Sequence, residues 1–164
     1  MGKAVYFNSI RAEGHVVKKF KQYFEKFNHK VLHSFMGNEQ ELDGFLKNGF
    51  YIALRICSFE YEYSRRMIKS RIPLDRIVFW SDAVHCEKPV PLLYTRKMKK
   101  IVNPTINGTL ISEFSHHELL PGWNHPSVIR QVCEGVAELK NLTMKQVADQ
   151  VWKNSVRILN LTEG

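Results

Sequence analysis

The chain has 164 residues, 44% of them hydrophobic and 12% aromatic, with 24 Lys and Arg against 16 Asp and Glu for a net charge of +8. That apolar content excludes an intrinsically disordered chain and suits one domain with a core. No apolar run approaches the roughly 20 residues a membrane span needs, and the opening Met1 to Phe7 lacks the apolar segment of a secretory signal.

Cys57, Cys86 and Cys133 are widely spaced and odd in number, which fits reduced thiols better than a disulfide framework. The expected compartment is cytoplasmic or nuclear. A basic balance favours polyanionic partners, nucleic acid first, though a basic soluble protein needs no such partner.

In chain order, residues 4–9 form a short apolar, β-prone run. Residues 15–27 then carry Val16, Phe20, Phe24 and Phe27 on one helical face, with lysines elsewhere. Lys30 to Phe35 is a second strand. Asn38 and Glu41 have the spacing of a capping box, and the helix they open places Leu42, Phe45 and Leu46 on one side before Asn48-Gly49 closes it. Residues 50–56 predict a third strand, residues 59–70 a polar helix ended by Pro73, and Arg76 to Trp80 a fourth strand.

Two helices follow later in the chain. One spans 126–140 with Val128, Val132, Val136 and Leu139 inward; the other starts at Thr143, with Gln146 three residues on, and buries Val147, Val151 and Trp152. Between 83 and 124 the periodicity fails, four prolines intervene and the basic run Arg96-Lys97-Met98-Lys99-Lys100 appears; this reads as a long loop or insertion.

The strands are near-continuous apolar runs alternating with helices four times, which suits parallel strands buried on both faces. The fold class is α/β, with four βα units forming either a small open sheet or half of an eight-unit barrel. In such folds reactive side chains stand at the C-terminal ends of strands. Here those ends carry Asn8 and Ser9, His33, Cys57 and Ser58, and Ser81 and Asp82.

His33 and Asp82 stand out, because a neutral imidazole and a carboxylate both ligate divalent ions and Asp82 can also take a proton from water. A hydrogen-bonded structural pair is the other reading. Cys57 reads as a structural thiol and Trp80 as ordinary core. The 96–100 run reads as a phosphate-binding patch or a solvated face.

The stretch Val31-Leu32-His33-Ser34-Phe35-Met36-Gly37, with Gly49-Phe50-Tyr51-Ile52, resembles the "VLHCFSG…GFYI" segment of the TatD family of metal-dependent deoxyribonucleases. Ile72-Pro73-Leu74-Asp75-Arg76-Ile77-Val78 followed by Ser81-Asp82-Ala83 resembles that family's "IPLDRLLLETDAP", and Asn124-His125-Pro126 stands where the family has "NEP".

The resemblance implies a single partial domain over 1–164, corresponding to the C-terminal half of a TIM-like (β/α)8 barrel, and phosphodiester hydrolysis in DNA. It makes His33 a metal ligand and Asp82 a ligand that also handles the proton of water. Asn8 or Ser9 falls where the family has a further histidine, and Asn8 can ligate weakly through its carbonyl. The family's His-then-Arg motif falls at Arg11, which with the Arg96, Lys97, Lys99, Lys100 cluster, singled out by its charge, is the expected nucleic-acid contact.

The family's first-strand His-x-His pair and a later bridging Glu have no counterpart here, and Trp80 replaces the Glu two positions before the Asp. Two protein ligands hold Mg²⁺, Mn²⁺ or Zn²⁺ weakly if at all. Unpaired strand edges then point to self-association or to a separate N-terminal half-barrel. The alternative to an impaired or partner-dependent nuclease is an inactive scaffold that only binds nucleic acid.

Overall fold

The computed structural model describes residues 4–8, 18–19, 21–83, 126 and 129–161. Strands β1 (Ala4–Asn8), β2 (His29–His33), β3 (Phe50–Leu54) and β4 (Ile77–Phe79) form a parallel sheet in chain order. Helices α1 (Glu39–Lys47) and α2 (Glu62–Ser70) connect successive strands, and α3 (Ile129–Lys140) and α4 (Met144–Leu159) follow. Parallel neighbours need such crossovers, because a hairpin would reverse the chain.

Both expected capping boxes form. Asn38 Oδ1 accepts from the Glu41 N–H at 3.0 Å while the Asn38 N–H donates to Glu41 Oε2 at 2.9 Å. Thr143 Oγ1 accepts from the Gln146 N–H at 3.2 Å while the Thr143 N–H donates to Gln146 Oε1 at 2.9 Å. Each box satisfies helix N–H groups that have no partner inside the helix. Gly49 leaves α1 at φ 77°, a conformation a side chain would strain, and so turns the chain straight into β3.

The register sorts side chains onto two faces. Leu32 pairs with Ile52, which pairs with Ile77; Val31 pairs with Tyr51, and Ala53 with Val78. Leu32, Ile52 and Ile77 join Phe45, Phe50, Val132, Val136 and Val147 in the larger core, under the helices. Phe50 lies among Phe24, Phe45 and Phe7, with ring centroids at 4.8, 4.9 and 5.3 Å. Burying one such ring stabilises the fold by about 1.5–3 kcal/mol. Val31, Tyr51, Ala53 and Val78 form a smaller cluster on the other face with Ile158.

Three polar side chains tie irregular backbone to this core. Asn154 on α4 donates through Nδ2 to the carbonyls of Leu74 (3.0 Å) and Ile77 (2.7 Å) at the start of β4. Lys140 Nζ donates to the Ile72 carbonyl at 2.7 Å, and buried Lys30 Nζ donates to those of Phe24 and Phe27, each at 3.3 Å. These bonds give a side-chain donor to carbonyls at the ends of elements, where the regular backbone pattern breaks off.

Several expectations need correction. Within the helix expected over 15–27, Lys21–Lys26 is a 3₁₀ turn. Lys30 donates to the carbonyl of Phe24 within it and to that of Phe27 just after it, where a continuing α-helix would have supplied backbone N–H groups. The third strand ends at Leu54, because Ile56–Phe59 winds into a 3₁₀ turn in which Ser58 Oγ accepts from the Arg55 N–H. Trp152 is not buried; it is 62% exposed on the outer side of α4. Val128 and residues 84–124 of the expected loop lie outside the described residues.

Candidate functional site

β2, β3 and β4 each deliver one polar side chain to the carboxyl edge of the sheet. His33 is the last residue of β2. The chain turns immediately after it: Ser34 sits at φ 59°, and its Oγ lies 2.9 Å from His33 Nδ1. Asp82 follows β4 at φ 52°, where aspartate is tolerated better than most residues. Left-handed residues at two strand ends place modest strain at this edge of the sheet.

His33 Nε2 lies 3.0 Å from Asp82 Oδ1, joining side chains 49 positions apart in the chain. The guanidinium of Arg55, just past β3, pairs through Nη1 with the other oxygen, Oδ2. Asp82 is thus held from two sides. The His33 and Asp82 side chains are 14% exposed and that of Arg55 20%. Burial pushes the Asp82 carboxyl up, but the Arg55 hydrogen bond and charge, joined by His33, outweigh it and hold the group below the usual carboxylate range.

An aromatic pair flanks the site on the same face. The Trp80 ring stands edge-on to His33 at 5.1 Å and 5.4 Å from Tyr6. Trp80 and Tyr6 are 38% and 42% exposed, so Trp80 is not the ordinary core residue expected. Burial nonetheless raises the Tyr6 phenol above its ordinary value.

The structure therefore brings His33 and Asp82 together. Asn8 is the register partner of His33 at the end of β1, and it is exposed. Ser9, Arg11, Arg96, Lys97, Lys99 and Lys100 lie outside the described residues. Cys57 is half-buried beside the large core.

The sequence reading missed Arg55 by taking it as the tail of an apolar strand. Its place at the site comes from the register. Ala53 is the register partner of His33, so in extended chain a residue two positions later faces the same site.

The divalent ion implied by the sequence does not fit the described side chains as they stand. Among the described residues, no three His, Cys, Asp or Glu come together in a way that could hold an ion. The one carboxylate facing His33 has a permanently charged guanidinium on its second oxygen. What the arrangement offers is an ionised carboxylate that can accept a proton, an imidazole beside it and a fixed positive charge.

Residues 1–160 match the family model described as TatD related DNase. A Schizosaccharomyces pombe protein named Deoxyribonuclease Tat-D is 26% identical over 157 residues, covering 95% of this chain and 49% of that one. The structure resembles a TatD family hydrolase from Entamoeba histolytica with a TM-score of 0.78 at 19% identity, over 97% of this chain and 51% of that one. It also resembles an amidohydrolase from Saccharomyces cerevisiae with a TM-score of 0.73 at 21% identity, over 93% and 52% of the two chains. At those identities the two solved structures speak for the fold. The chain spans about half the length of the S. pombe relative.

Proposed function

Since the chain belongs to the TatD-related DNase family, we propose that it takes part in hydrolysing phosphodiester bonds of DNA, with the His33–Asp82 pair as the reacting centre. The observation that carries this reading is the 3.0 Å contact between two residues 49 positions apart, at the strand ends where parallel α/β folds place their chemistry. Asp82, kept ionised, is the group that accepts the proton of an attacking water. His33 positions Asp82 and, through Nδ1, is itself positioned by Ser34.

The isolated chain is a weak catalyst in this reading. Two ligand-type side chains beside a guanidinium hold Mg²⁺, Mn²⁺ or Zn²⁺ weakly if at all, and effective turnover depends on a second copy or a separate N-terminal half-barrel. The four parallel units are the C-terminal half of that barrel. Arg11 and the Arg96–Lys100 cluster, carried on the 83–124 insertion, meet DNA phosphates. No helix among the described residues is long and apolar enough to cross a membrane.

The test is cleavage of single- and double-stranded DNA with each of the three ions, run beside Asp82→Ala and an EDTA control. We expect slow cleavage that disappears with the mutation. Absence of any cleavage, or cleavage that survives Asp82→Ala, would sink the proposal.

A further inference from the structure

We propose that Arg55 is a resident cation: it takes the place beside Asp82 that a divalent ion would need, so that removing its charge raises the affinity of the His33–Asp82 pair for such an ion. The inference goes beyond DNA cleavage and does not depend on it.

Three observations carry it. The carboxylate of Asp82 is shared between His33 on Oδ1 and Arg55 on Oδ2, so an ion approaching either oxygen must displace a partner already there. All three side chains are largely withdrawn from water, where like charges repel with little screening. The guanidinium cannot relieve that repulsion by losing its proton.

The backbone of Arg55 is also built into place. Its N–H donates to Ser58 Oγ at 3.1 Å and its carbonyl accepts from the Ser58 N–H at 2.9 Å. The guanidinium is thus delivered from a fixed turn rather than from a free loop.

The experiment uses Mn²⁺ as the probe, with paramagnetic resonance to count bound ions and broadening of the His33 ring signals to locate them. The unaltered chain is expected to show no saturable Mn²⁺ binding at His33. Arg55→Met, close in length and neutral, should show saturable binding of one Mn²⁺ per chain at His33, at a midpoint at least about tenfold below the highest Mn²⁺ concentration at which the unaltered chain shows none. Arg55→Lys, which keeps the charge, should behave like the unaltered chain.

Adding Asp82→Asn to Arg55→Met should abolish the gain. Saturable Mn²⁺ binding at His33 by the unaltered chain would overturn the proposal, and that result is readable even if Arg55→Met does not fold. So would equal affinity in Arg55→Met and Arg55→Lys, or a gain that survives Asp82→Asn. DNA cleavage is not a readout, so failure here leaves the hydrolase proposal standing, and the reverse.

Discussion

On one face of the sheet Leu32, Ile52 and Ile77 sit under helices with at most 1% of their surface exposed. On the other, at the carboxyl edge of the same strands, His33, Arg55 and Asp82 keep 14–20% of their side chains in water and are held by charge and directed hydrogen bonds. The first face is stabilised by area removed from water and by close packing, which tolerate exchange of one apolar shape for another of similar volume. The second depends on which atom faces which, so a change that leaves the core intact can still rearrange it. Stability and chemistry are therefore separable in this chain by about one residue along a strand.

The sharpest way to break that comparison is Phe50→Ala. The ring is fully buried among three other phenylalanines, so its loss should cost about 3–5 kcal/mol in urea unfolding. A cost no larger than that of a site substitution would mean that the covered face does not dominate stability.

Next is Asn154→Ala, which removes the side-chain donor shared by the carbonyls of Leu74 and Ile77; about 1–3 kcal/mol should be lost in the same measurement.

The smallest effect belongs to the site. Because the Asp82 carboxyl titrates lower in the folded chain than in the unfolded one, where the value is about 3.9, its ionisation stabilises the fold above that pH. The contribution is lost as pH falls through the lower folded value. Thermal melts of the unaltered chain and Asp82→Asn should differ by a constant amount near neutrality and converge in acid. A difference that grows on acidification would reverse the assigned direction.

Much of this architecture was legible in the sequence. The apolar runs located all four strands to within two residues at their ends, and the Asn38/Glu41 and Thr143/Gln146 spacings marked two helix starts that form as expected. These signals are local, and local sequence carries them. What escaped was decided from a distance. Lys30 reaches back to the carbonyls of Phe24 and Phe27, and no periodicity encodes that. Trp152 satisfies the apolar pattern of α4 by type, yet it lies outside the buried stripe of Val147, Val151 and Ile158.

At the site, His33 and Asp82 were readable because they are ligand-type residues at strand ends and fall inside the two stretches that resemble the family. Arg55 was not, because its role comes only from the register that sets Ala53 beside His33.

The order of the strands has a kinetic consequence. Each strand pairs with the one made just before it, so every pairing closes a segment only one βα unit long. Closure entropy rises with loop length, so pairings of sequential strands cost less to form than a pairing of distant ones. The link from His33 to Asp82 spans two such units and forms only when β4 has docked. The polar constellation thus assembles only once β2, β3 and β4 are all paired, and a spectroscopic probe on Trp80 would report that joint event rather than any single pairing.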